Sequence, residues 1–315
     1  MRSILLIGIA FTVAVTPVLA VDGAFGRSIP GTWILPGAGV VGPDAGFGFT
    51  TLPIGFMGSM GGSRLDPVAG VVVSNDQAST SINVLIPGYV YPTNTEKVSL
   101  SSAVMVPINW WTVSGSQEIN GIFQGGASSS NGSVGDVVMI PLTAGIHLTK
   151  NNNIAFSTFI WAPTGLWREG NLSNVGMNVW TFMPNFAHTS YLEKPKVEFD
   201  NFVGFDIYTR NNTTDYGSGT VFHWDGMVLK YFGDKKVAIG AIGSYLRQLT
   251  DDTGPLAELF NGFQARAWAV GPTVLYTARR ANPGVTLQLR WLNEFKVTNL
   301  LKGNVFMAGV YMSFR

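Results

Sequence analysis

Three histidines, His147, His188 and His223, and no cysteine make up the reactive inventory of this 315-residue chain. The absence of cysteine removes thiol nucleophiles, thiolate metal sites and a disulfide framework. A serine hydrolase needs a nucleophile within reach of an oriented base. The nearest string is His188-Thr189-Ser190, but neighbours on a strand point to opposite faces, and His188 and Ser190 sharing a face specify no triad. His223 and Asp225 lie two apart and share one face, which is a start for a metal site with no further ligand in view. Gly58–Gly62 (GSMGG) lacks the lysine of a phosphate loop. The expectation is therefore no catalytic residue, no metal and no cofactor. An outer-membrane lipid hydrolase is the weakest of the alternatives.

The remaining polar residues are more informative because of their spacing. Along 197–210, Val197, Phe199, Val203, Phe205 and Ile207 alternate with Glu198, Asp200, Asp206, Tyr208 and Arg210. Along 285–297, Leu287, Leu289, Trp291, Phe295 and Val297 alternate with Thr286, Gln288, Arg290, Glu294 and Lys296. Period two is the repeat of a strand with two unlike faces. Charges of both signs at mid-strand do not suit the dry core of a sandwich. They suit a barrel with apolar residues turned to lipid and polar ones turned inward. On this reading the lumen and solute path are lined by Glu198, Asp200, Asp206, Arg210, His223, Asp225, Gln248, Arg266, Arg290, Glu294 and Lys296.

The elements that must hold these residues are strands of about ten residues. They are expected at 45–58, 79–91, 98–113, 135–149, 153–162, 179–192, 197–210, 219–232, 236–249, 263–279, 285–297 and 304–315. The gaps between them alternate between long and short, as the outer loops and periplasmic turns of bacterial barrels do. The fold class is all-β, a transmembrane antiparallel up-and-down barrel of about twelve strands. Fourteen is the fallback if 68–76 crosses as well. Gly271-Pro272 is read as a β-bulge that switches the apolar parity within its strand. Trp110, Trp111, Trp161, Trp167, Trp180, Trp224, Tyr231, Phe232 and Tyr245 fall near strand ends, where an interfacial girdle belongs.

Composition agrees. Only 12% of residues are charged, 46% are hydrophobic and 38 are glycine. Water-facing domains carry roughly twice that charge. Residues 1–20 read as a cleaved secretory signal: Arg2, an apolar run from Ile4 to Val15, Pro17 and a small-residue end at Ala20. Their removal leaves 19 basic and 19 acidic residues, a balance that argues against nucleic acid as a partner. Residues 21–44, rich in Gly and Pro, read as an extended lead-in lying either in the periplasm or in the lumen, and 45–315 as the barrel. The chain ends on an alternating strand with Phe314, the form read by barrel-insertion machinery. The expected partners are thus outer-membrane lipid, that machinery and a small hydrophobic solute, and the expected location is the outer membrane.

An ordered series of motifs over about 150–315 resembles an outer-membrane family named for the meta-pathway of phenol degradation. It comprises APTGLW (162–167), NLSNVGMNVWTFMPNFAHTSY (171–191), TRNNTTDYGSG (209–219), FHWDGMV (222–228), GAIGSYLRQLTDDTG (240–254), FQARAWAVGPTVLY (263–276), LRWLNEF (289–295) and KGNVFM (302–307). The resemblance implies a barrel and the passage of hydrophobic, aromatic compounds. The leading expectation is a passive uptake channel. A surface or structural barrel without transport is the alternative.

Overall fold

In the computed structural model, residues 27–42, 44–59, 65–68, 71–119, 122–259, 262–279 and 284–314 are described. The expected signal, 1–20, lies outside them. Among the described residues, fourteen strands form one antiparallel sheet. They are β1 (Gly46–Ser59), β2 (Leu65–Val68), β3 (Val71–Tyr91), β4 (Val98–Ile119), β5 (Ile122–Val134), β6 (Val138–Thr149) and β7 (Asn152–Trp161). The second half contributes β8 (Thr181–Leu192), β9 (Val197–Tyr208), β10 (Val221–Phe232), β11 (Val237–Gln248), β12 (Arg266–Arg279), β13 (Gly284–Thr298) and β14 (Lys302–Ser313). One helical turn, α1 (Pro255–Leu259), sits in the loop before β12.

The sheet closes because β1 pairs with both β3 and β14, and β3 pairs with β4. Closure leaves no open edge in the barrel wall, which is the condition for crossing hydrocarbon with strands. Twelve strands make the wall. The other two lengthen it beyond the rim: β2 folds back on the start of β3, and β5 pairs with the upper half of β4. Of residues 68–76, weighed above as an extra crossing, Val68 ends β2 and 71–76 are the beginning of β3. The fourteen-strand fallback therefore does not hold as a count of crossings.

Large apolar side chains stand on the outer surface, among them Met57, Trp110, Ile239, Val270, Leu289 and Phe306, each at least half exposed. So large an apolar surface would drive association in water, whereas hydrocarbon accepts it. Near the end that carries the long connections, Phe205, Phe222, Tyr245 and Trp268 follow one another across β9 to β12 with ring centroids 4.3–6.4 Å apart. This row is a girdle. Trp111, Trp161 and Tyr231 do not belong to it: the two tryptophans are fully buried inside, and the Tyr231 hydroxyl donates to Glu198.

No bulge occurs at Gly271-Pro272. β12 pairs with β11 in one unbroken register from Arg266 to Tyr276, and its odd-numbered residues stay inward throughout. Ala265, Ala267 and Ala269 face the interior because a packed interior at that wall has room only for small side chains. A bulge does occur at Pro141-Leu142 in β6, where the registers with β4 and β7 both shift and two consecutive residues face outward.

Candidate functional site in the barrel lumen

Residues 27–42 lie inside the barrel. Arg27 is at the end with the long connections, beside Asp136, Thr181 and Tyr208, and Gly37 and Gly39 reach the short-turn end, beside Glu198 and Thr189. The segment is almost wholly buried, with Trp33 and Ile34 at 0% exposure. It has no regular structure, so its backbone polar groups need partners on the wall. The inward carboxylates supply them. Asp225 accepts from the Gly31 amide at 3.0 Å with Oδ1 and from the Trp33 amide at 2.8 Å with Oδ2. Arg290 Nη1 donates to the Gly31 carbonyl at 2.9 Å. Glu198 accepts from the Gly37 amide, and Thr189 accepts from the Gly39 amide while donating to Asp200. Ser28 donates to Asp206 at 2.6 Å.

Two glycines let the segment fit. Gly31 has φ +79°, and a Cβ there would overlap Leu292. Gly39 lies so close to the backbone of Asn153 and Thr189 that a Cβ would sit 2.6 Å from it.

The outer end is sealed by a buried ion pair. Arg27 Nη1 lies 2.7 Å from Asp136 Oδ2, with both side chains at 0% exposure. Arg27 also donates to Thr181 Oγ1 and to the Val179 carbonyl. Asp136 further accepts from the amides of Gly165 and Met177. It therefore ties the lumen segment to the 162–180 connection, whose Leu172, Ser173, Asn174 and Val175 are buried. Such a pair is costly to dehydrate and costly to break, because a lone partner would be left charged in a dry site. Below the segment, at the short-turn end, a vestibule of about 830 Å³ opens; Pro36, Gly37 and Val40 form part of its lining, with Glu198, Tyr231 and Lys235.

Of the residues expected to line the lumen, Glu198, Asp200, Asp206, His223, Asp225, Arg290 and Glu294 point inward. Asp206, Asp225, Arg290 and Glu198 meet the lumen segment directly, and Glu294 accepts from the Gly303 amide on the wall. Gln248, the last residue of β11, is buried on the inward face and donates to Asp252 of the outer loop. Three placements are corrections. Arg210 lies beyond the end of β9, exposed and paired with Asp215 at 2.6 Å. Arg266 faces outward at the outer end of β12. Lys296 leaves the inward stripe because the β12–β13 register shifts between Arg266 and Trp268, and Lys296 adopts φ +51° in the irregularity. His188 also faces outward, where Nε2 meets Asn152, so it is not next to any inward serine.

Sequence reasoning missed Arg27, Trp33 and Asp136. The only signal for Asp136 was a Gly-Asp pair interrupting apolar alternation. None existed for Arg27, whose partner is 109 residues away.

A family profile matches residues 62–308. The chain belongs to the family described as the MetA-pathway of phenol degradation. No curated protein sequence matches it. Among solved structures, an outer membrane channel from Pseudomonas putida F1 superposes with TM-score 0.70 at 16% identity, covering 89% of this chain and all of the other. A FadL homologue from Pseudomonas aeruginosa gives 0.48 at 9% identity, covering 95% of this chain and 98% of the other. The first likeness shows that this chain has the fold of an outer-membrane barrel; the second is too low to carry weight.

Proposed function

We propose that the protein is a plugged outer-membrane channel for passive uptake of small hydrophobic, aromatic solutes, with residues 27–42 as the plug. The carrying observation is that a closed barrel with an apolar outer surface holds an irregular segment by hydrogen bonds and one ion pair, with no covalent tie across the lumen. Family membership and the shared fold with the outer membrane channel of Pseudomonas putida F1 support the reading. Residues 1–20 would act as the export signal, and the strand ending at Phe314 would be read by the insertion machinery. The solute path would run along the inward residues Asp206, His223, Asp225 and Arg290. Charged walls bias which solutes pass and orient their polar ends.

The test is uptake of radiolabelled aromatics by cells with and without the protein. Faster uptake supports the channel. Equal uptake favours the second reading, a surface or structural barrel, for which the buried Arg27–Asp136 seal is the specific evidence.

A further inference from the structure

The plug's one tryptophan enters a box of rings. Trp33 lies parallel to Phe202 (6.0 Å, 10°) and to His223 (5.4 Å, 25°), meets Trp161 edge-on at 5.7 Å, and lies 6.0 Å from Phe159. The Arg27 guanidinium sits 5.8 Å from the Trp161 ring and closes the outer side. The wall supplies every ring of the box except the indole itself, from β7, β9 and β10. Parallel and edge-on neighbours at these separations are what a flat π system prefers.

The polar atoms of the box set it apart from ordinary core. Trp161 Nε1, both ring nitrogens of His223 and Asp206 Oδ1 are buried without a hydrogen-bond partner, and so is Trp33 Nε1. His223 Nε2 and Asp206 Oδ1 face each other at 3.7 Å, too far for a hydrogen bond. A well-packed core rarely leaves so many buried groups unsatisfied in one place. A ring carrying its own O–H or N–H, placed where Trp33 lies but able to shift and turn, could donate to Asp206 or His223. Trp33 is fixed by its backbone, since its amide is held on Asp225, and its indole N–H finds no acceptor.

We propose that this box is the lumen's binding station for aromatic solutes bearing a hydroxyl or ring N–H, and that Trp33 occupies it as a resident stand-in when the plug is closed. The assignment rests on the channel reading above and adds its ligand class and place. A solute that takes the box displaces the indole, and loss of that anchor releases the middle of the plug.

The test uses the full chain in detergent and in cells. The W33G variant should leave a ring-sized apolar cavity, of the order of the ~150 Å³ that accepts benzene in an engineered core. Indole and phenol should bind W33G and raise its Tm by a few degrees. Toluene should bind about tenfold more weakly, the worth of one hydrogen bond. Wild-type protein should show no such shift at the same low concentrations. Should W33G fail to fold, as judged by loss of the gel shift on boiling, A38C supplies an independent measurement. The protein has no other thiol, and Ala38 is buried in the plug without a side-chain hydrogen bond. Phenol at concentrations high enough to compete with Trp33 should raise the rate of A38C labelling from the short-turn side several-fold, and the same rise should be lost in A38C/H223A.

Folded W33G that binds no arene would overturn the proposal, as would A38C labelling indifferent to phenol. If wild-type cells still take up aromatics in either case, the box assignment fails and the channel reading survives. If they take up none, the channel reading fails as well.

Discussion

The barrel has two unlike inner walls. On β1, β3 and β4 the inward residues are mainly apolar: Leu52, Ile54, Ile82, Val84, Ile86, Ala103 and Met105. On β8 to β10 and β13 they are largely polar or charged: Thr189, Asp200, Asp206, His223, Asp225, Gln288, Arg290 and Glu294. The plug satisfies both. Its amides and carbonyls meet the polar wall, while Ile29, Trp33, Ile34, Leu35 and Val41 join the apolar cluster that contains Leu52, Ile54 and Ile82. The apolar wall gives non-directional stability proportional to area. The polar wall fixes where the plug sits, because hydrogen bonds demand positions. Changes to the polar wall should therefore open the lumen, and changes to the apolar wall should mainly weaken the fold.

The largest effect is expected at Asp136. D136A leaves Arg27 charged and buried, which costs about 3–5 kcal/mol. Thermal unfolding should drop accordingly, and bilayer recordings should show new openings as the outer end of the plug comes free. If D136A stays closed, the polar wall does not set the plug's position.

A pH effect comes next, outside the membrane wall. Asp252, in the outer loop, accepts from Tyr216, the Gly219 amide and Gln248, yet burial pushes its carboxyl up to about 6. A carboxyl with a folded-state value above its ordinary 3.8 binds more protons folded than unfolded. Its stabilising contribution is thus full below about pH 4 and is lost as pH rises through 6, by up to about 3 kcal/mol. The hydrogen-exchange protection of residues 216–219, taken relative to the intrinsic exchange rate at each pH, should fall between pH 4 and 7 in wild type. In D252N that change should vanish, and a persistent change would place the titration elsewhere.

On the apolar wall, I54V should cost about 0.5–1.5 kcal/mol in unfolding with conductance unaltered. A leak in I54V would erase the distinction between the walls. The smallest effect belongs to the exposed pair Arg210–Asp215. R210A should leave the midpoint of thermal unfolding almost unchanged, because solvent screens such pairs. A larger loss would show that the outer loops brace the barrel.

The polar wall and nearly every strand were legible in the sequence, because one apolar and one polar face give a clean period of two. Strand 197–210 was read to within two residues of β9. The apolar wall was not legible as a lumen, because in SINVLIPG (81–88) Ile82, Val84 and Ile86 turn inward while Ser81 and Asn83 turn outward, the reverse of what alternation implies. The same blindness turned the inward alanines of β12 into a supposed parity switch at Gly271-Pro272. Lys296 was lost to a local register shift that no spacing reveals. The plug itself is held by pairs such as Gly31–Arg290, 259 residues apart, which only the folded chain brings together.

Single-channel recording in planar bilayers, comparing the wild-type protein with a variant lacking residues 27–42, measures the central claim. Rare, small openings in wild type and a steady large conductance in the folded deletion are the expected result. Equal conductance in the two would mean that the segment does not close the path.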